Sequence, residues 1–138
     1  MSKIIYIAVP YSHEDPDIQE WRYERVTEAT GCLIKKNLGV FYSPITHTHP
    51  INEGKHGPIT HKLWVEEHDL PFLRKCSKLL VLMLPKWEES VGVRKEMNEA
   101  TALGIPIVFA SPCYDEMFRI KDVFLLDEPL AQTLQDMI

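Results

Sequence analysis

Apolar residues along this chain fall into short continuous blocks separated by stretches with helical spacing. The blocks occupy residues 4–9, 40–43, 78–84, 105–109 and, more briefly, 123–126. Short apolar runs without polar alternation predict strands buried on both faces. The 78–84 block is apolar after its leading lysine, as a central strand should be, and Pro10 and Pro85 stop the first and third blocks. Between residues 17 and 36, Ile18, Trp21, Val26, Ala29 and Leu33 recur at roughly helical spacing, with Asp15 or Asp17 in place to cap a helix. Residues 61–76 predict a second helix, which Pro71 restarts or kinks. Residues 90–103 predict a third, closed by Gly104, and residues 128–138 a last one. A long loop with several histidines is expected from Pro44 to about Thr60.

Strands that alternate with helices imply a parallel sheet joined by right-handed crossovers. The expected fold class is therefore α/β: a doubly wound (Rossmann/flavodoxin-like), mainly parallel sheet of about five strands with helices on both faces. It forms one domain, residues 1–138. Such sheets bind ligands beyond the carboxyl ends of their strands. That directs attention to residues 10–13, 43–49 and 85–92.

Composition narrows the partners. A chain of 138 residues with 45% hydrophobic and 25% charged residues suits one ordinary globular domain. Its formal net charge of -5 argues against a duplex nucleic-acid partner but not against a single nucleotide. Cys32, Cys76 and Cys113 are odd in number and form no CxxC pair, which predicts buried thiols in a reducing compartment. The N-terminus has no signal-peptide layout and no apolar run is long enough to span a bilayer, so a cytoplasmic protein without a membrane partner is expected. Neither GxGxxG after the first strand nor a Walker A lysine motif is present, and no cofactor is expected.

Several residues could carry chemistry. On the 90–103 helix, Val93, Met97 and Ala100 mark the face toward the sheet, and Glu96 lies at its edge, whereas Lys95 and Asn98 face solvent. A carboxylate at the edge of a core costs free energy unless it is paired or used. Ser90 can cap this helix, and Gly92 leaves room for a ligand at its N-terminus. Asp69 and Glu96 flank the third strand in sequence, so both can reach one strand end. Retaining glycosidic displacement needs such a nucleophilic carboxylate with a second acid/base group nearby. Ser12 follows the first strand, and Arg22 or Arg25 could meet a phosphate, although a surface loop and a solvated helix face explain them equally well. His47 and His49 form a His-x-His pair that would point one way in an extended loop, with His56, His61 and His68 nearby. A polar loop capping a substrate is the simpler explanation, since no HExxH or His/Cys set completes a zinc site. No GxSxG elbow occurs.

Taken together, these pieces resemble the nucleoside 2-deoxyribosyltransferase-like superfamily, in a small bacterial and phage branch related to nucleotide N-glycoside hydrolases. The opening from Ile5 to Ser12 resembles its first strand and loop, and Glu66 to Leu70 its helix with a sugar-orienting Asp. Ser90, Gly92, Glu96 and Ala100 fit its S-x-G-x-x-x-E-x-x-x-A segment, and Gly104 to Val108 its following strand entry. The resemblance implies attack of Glu96 on C1′, Asp69 holding the sugar or the catalytic carboxylate, and Tyr6 or Tyr11 orienting Glu96. It implies a substrate contacted by Pro10, Tyr11, Ser12, Ser90 and Gly92, with Arg22 as a cation and His47 in a loop over the base. The first loop departs from the family's Gly-rich or Arg-bearing versions. A homodimer or higher homo-oligomer is expected on this resemblance alone. The expected activity is cleavage or transfer at the N-glycosidic bond of a nucleoside or its 5′-monophosphate. The alternatives are a nucleotide-sensing module without turnover and a metal-dependent hydrolase built on His47 and His49.

Overall fold

The computed structural model describes residues 3–52, 59–127 and 136. It is a mixed α/β structure with one five-stranded sheet. The strands are β1 (Ile4–Ala8), β2 (Val40–Tyr42), β3 (Lys78–Leu82), β4 (Ile107–Tyr114) and β5 (Ile120–Leu125), in the order β2-β1-β3-β4-β5. The first four are mutually parallel and β5 runs antiparallel to β4. The helix expected over residues 128–138 lies outside the described residues.

Successive side chains of a strand point to opposite faces of the sheet, so each buried strand feeds two cores. On one face, Ile5, Ile7, Leu80, Leu82 and Ala110 meet Val26, Ala29 and Leu33 of helix α1 (Pro16–Lys35). On the other, Tyr6, Ala8, Leu79, Val81 and Phe109 meet Val93, Met97 and Ala100 of helix α5 (Val91–Leu103). Asp15, not Asp17, caps α1 by accepting from Asp17 N–H at 2.9 Å. Ser90 caps α5, accepting from Val93 N–H at 3.2 Å, and Gly104 ends it in the left-handed region at φ 71°.

Three connections differ from the sequence reading. The stretch expected to be a loop after β2 contains helix α2 (Pro44–Asn52). Its start suits proline, whose missing N–H is unneeded in a first turn, and Thr46 Oγ1 donates to the Ser43 carbonyl at 2.9 Å. Pro44 and Pro50 hid this helix in the sequence. The 61–76 region is helical in three pieces: α3 (His61–Trp64), a π-helical turn (Val65–Asp69) and α4 (Leu70–Leu73). The Leu70 N–H bonds back to the Val65 carbonyl, widening the chain where the Pro71 ring would otherwise strike the turn before it. Finally, β4 and β5 form an antiparallel hairpin, which the mainly parallel sheet expected from the sequence did not foresee. Asp115 holds its tip by accepting from Met117 N–H at 2.8 Å and Arg119 N–H at 3.0 Å. Pro112 is tolerated in β4 because it lies beyond the part paired to β3.

Cys76 is buried as expected, but Cys32 and Cys113 are only half-buried, because each sits on an element that keeps one side to solvent. Among the described residues, no helix is long and apolar enough to cross a membrane.

Candidate active site

A cavity of about 800 Å³ opens at the carboxyl ends of the parallel strands. One wall comes from residues 9–13 after β1, Gln19 and Arg22 of α1, and Pro44, Ile45, Thr48 and Asn52 of α2. The facing wall holds Trp64, Val65, Asp69 and Leu70, then Lys86, residues 89–92, Lys95 and Glu96. The sequence-derived residues Pro10, Tyr11, Ser12, Arg22, Asp69, Ser90, Gly92 and Glu96 therefore share one cavity.

Glu96 is its most perturbed group. The residue is half-buried, because part of its surface faces the cavity, but protein surrounds its carboxyl. Burial is the main cause that pushes its pKa up to about 8. The Tyr6 hydroxyl opposes the rise as a hydrogen-bonding neighbour, and the Asp69 charge adds to it. Among the described residues, no cation pairs with Glu96. Tyr6 is fully buried in β1, behind the cavity wall. Its hydroxyl completes no hydrogen bond at strict distance, yet it sits close enough to Glu96 for each to shift the other. Burial, then the Glu96 and Asp69 charges, hold the phenol firmly protonated. Asp69 closes the π-helical turn, is 9% exposed, and lies 3.3 Å from His68 Nδ1. The turn that accommodates Pro71 thus also presents Asp69 to the cavity.

Cations supply the balance. Arg22 is buried and donates to the carbonyls of Tyr11 at 3.3 Å and Ser12 at 3.1 Å, which fixes the first loop. Burial lowers its pKa, and among the described residues no carboxylate pairs with it. Lys86 reaches the cavity from a left-handed residue at φ 71°. Lys95, read from helix geometry as solvent-facing, also lines the cavity and pairs with Glu66 at 3.6 Å. Arg25 is elsewhere: it is buried beneath the β4–β5 hairpin, bonded to Glu28 and to the Phe118 carbonyl.

A Cβ placed on Gly92 would meet nothing closer than Ser90 Oγ at 3.9 Å. Neither packing nor a positive φ demands glycine there, so its open flank is available to a ligand. Thr48 and Asn52 were missed because α2 was read as a loop, and Trp64, on α3, because nothing in the sequence shows that α3 packs beside α2. With α2 in view, the helical spacing of Thr48 and Asn52 would have placed them.

His47 does not line the cavity. It is exposed, stacked on His68 at 5.4 Å and edge-on to Trp64 at 6.4 Å. The extended geometry assumed for His-x-His does not apply on a helix, where residues two apart point roughly opposite ways. His49 accordingly turns inward. It bonds Tyr11 Oη at 2.6 Å and Glu20 at 2.7 Å and stacks on Tyr23 at 4.2 Å. Tyr11 is therefore engaged with His49, and the tyrosine coupled to Glu96 is Tyr6. Among the described residues, no group of three or more His, Cys, Asp or Glu converges as a metal ligand set.

The arrangement offers a carboxyl in a poorly solvated pocket, a fixed phenol donor beside it, a second carboxylate within electrostatic range, and cations toward the rim. No curated protein matches the chain. The model of a family described as a domain of unknown function (DUF1937) matches residues 3–111, which covers all of the cavity-lining residues, and the chain belongs to that family.

Proposed function

We propose that the protein cleaves or transfers the N-glycosidic bond of a nucleoside or nucleoside 5′-monophosphate through a covalent glycosyl ester on Glu96. The observation that carries this reading is Glu96 itself, a carboxyl without a cation among the described residues, lining a cavity near Tyr6 and Asp69. The strand order 2-1-3-4-5 supports reading the sheet as doubly wound, apart from its antiparallel β5, and such sheets take ligands at a switch-point cavity.

Ionised Glu96 attacks C1′ of the sugar, and the base leaves with the electron pair of the broken bond. Tyr6 has no other hydrogen-bond partner among the described residues and donates to the carboxylate as it ionises, holding it on line. Asp69 accepts from a sugar hydroxyl. Water, or a second base, then attacks C1′ and returns the pair to Glu96, as in retaining glycosidases. Pro44, Ile45, Trp64 and Val65 offer an apolar surface to the base. Arg22 and the first turn of α5 suit an anionic 5′ substituent.

One observation favours a second reading. With its pKa near 8, Glu96 is mostly protonated at neutral pH and could serve a binding module as a neutral donor. Incubating the protein with a panel of nucleosides and monophosphates, with and without an acceptor base, separates the two. Free base detected by chromatography supports glycosidic chemistry. Saturable binding of nucleotide with no base released from any member overturns it.

A further inference from the structure

Tyr11, His49 and Glu20 form a continuous chain from the cavity to solvent. Tyr11 lines the cavity. His49, 6% exposed, occupies the space between Tyr11 and α1. Glu20 has a side chain 51% exposed and does not line the cavity. The carboxylate can only accept, so the His49 Nε2 facing it carries a hydrogen and donates across 2.7 Å. The Nδ1 of a neutral ring is then an acceptor, and the Tyr11 hydroxyl donates to it across 2.6 Å. Stacking on Tyr23 at 4.2 Å and an edge contact with Tyr11 fix the ring plane. This is the hydroxyl–imidazole–carboxylate order that activates an oxygen by removing its proton, with a phenol as the oxygen.

We propose that Tyr11, backed by His49 and Glu20, is the general base of the second half-reaction, taking a proton from the water that resolves the glycosyl–Glu96 ester. The inference rests on the glycoside-cleaving reading of the same cavity. The water oxygen forms a bond to C1′ while the C1′–O bond to Glu96 breaks and its electron pair returns to the carboxylate. The water proton moves to Tyr11 Oη as the phenol proton moves to His49 Nδ1. The imidazolium is neutralised by Glu20 and discharges to bulk water at that exposed end. The displaced base, which left with the electron pair of its own bond, takes a proton from solvent. Tyr11 touches the reacting water and is a catalytic residue, whereas His49 and Glu20 are positioning residues that act through it.

The test is a first-turnover and steady-state comparison of wild type, Tyr11→Phe and Glu20→Gln, with and without azide, an anionic nucleophile that has no proton to lose. Tyr11→Phe is expected to release the first equivalent of base at the wild-type rate. Its steady-state hydrolysis falls about 100-fold, as for loss of a general base, and intact mass shows a glycosyl adduct accumulating. Azide restores turnover. Glu20→Gln falls about tenfold, and the double variant is no slower than Tyr11→Phe, as expected for groups that act as a unit. If Tyr11→Phe does not fold, the same partition and azide response in Glu20→Gln carries the test. Equal losses in both phases, unchanged turnover, or no response to azide overturns the relay alone. A wild type that releases no base from any nucleoside or monophosphate overturns the reading of the cavity, and the relay with it.

Discussion

Two buried charged groups, Arg25 on one face of the sheet and Glu96 on the other, are treated in opposite ways. On the α1 face, Arg25 is almost wholly enclosed, yet every direction of its guanidinium is answered. Glu28 accepts at 2.7 and 2.9 Å, Glu24 at 3.3 Å and the Phe118 carbonyl at 3.4 Å, with the Trp21 ring 5.3 Å below. Glu28 in turn accepts from Ile120 N–H at 2.9 Å, so the cluster ties α1 to β5. On the α5 face, among the described residues, the Glu96 carboxyl has no cation, and the hydroxyls of Tyr6 and Tyr42 complete no hydrogen bond. Its neighbour on the same helix, Glu99, is paired with Arg74 at 3.1 Å. The Arg25 charge is compensated and serves cohesion. The Glu96 carboxyl is left without a cation among the described residues, at a cost in stability, where a cavity can use it.

The largest effect expected is at Glu96. Glu96→Gln keeps the shape and should lower base release by at least about 1,000-fold, as loss of a nucleophile does. The same variant should be more stable than wild type at high pH. The folded protein holds a proton on Glu96 up to about pH 8, whereas the unfolded chain releases it near the ordinary value of 4.5. Between those values the native state binds more protons, so wild-type stability falls as pH rises, and the Gln variant does not share that loss. The gap should be near zero below pH 4.5 and a few kcal/mol above pH 8. Urea melts of both proteins at pH 4, 7 and 9 measure it. A variant less stable than wild type at pH 9 would break the contrast between the two faces.

Arg25→Leu tests the other side. Removing the cation leaves Glu28 facing Ile120 without its partner and should destabilise by about 3 kcal/mol. Because Arg25 lies outside the cavity, kcat and KM of the folded fraction should stay within about twofold of wild type. Chemical denaturation and base-release assays read the two quantities separately. A large loss of turnover without loss of stability would mean that the Arg25 cluster also serves chemistry.

The pH dependence of the reaction is the next effect in size. Attack requires the carboxylate, so kcat/KM of the free enzyme should rise with pH, reach half its plateau near pH 8 and level off above it. The gain between pH 6 and pH 8 should be about fiftyfold, following the ionised fraction of one acid. A profile already flat at pH 6 would assign the nucleophile to a carboxylate with an ordinary pKa.

Much of this contrast was legible in the sequence, and the limits have physical causes. The strand blocks, both caps and the buried stripe of α5 follow from periodicity, and that stripe singled out Glu96 as a misplaced carboxylate. The pairing of Asp69 with Glu96 needed only the rule that both flank the same strand. What failed was local. Pro44 and Pro50 disguised a helix as a loop, so His47 was assigned to the substrate and the inward turn of His49 was missed. Arg25 gave no signal, because the residues that enclose it, Glu28 and Phe118, are brought together by a hairpin far along the chain. Lys95 was misread because the cavity extends around the flank of α5, beyond the face that meets the sheet.

The smallest effect discriminates best between fold and site. Gly92 lies in the first turn of α5, where glycine is a poor helix former and where an added methyl would meet open space. If the position served the fold alone, Gly92→Ala would be silent or beneficial. Stability is expected to rise by a few tenths to about 1 kcal/mol, since alanine loses less backbone entropy on folding. The same methyl projects into the cavity beside Ser90 and should hinder a ligand that approaches the helix N-terminus. KM should rise about tenfold, with kcat changed much less, because the contact is the same in ground and transition states. The rise should be larger for a monophosphate than for its nucleoside if the anion sits at that end. A more stable variant with unaltered KM for both would remove the first turn of α5 from the binding surface while leaving Glu96, about one turn further along the helix, where the geometry puts it.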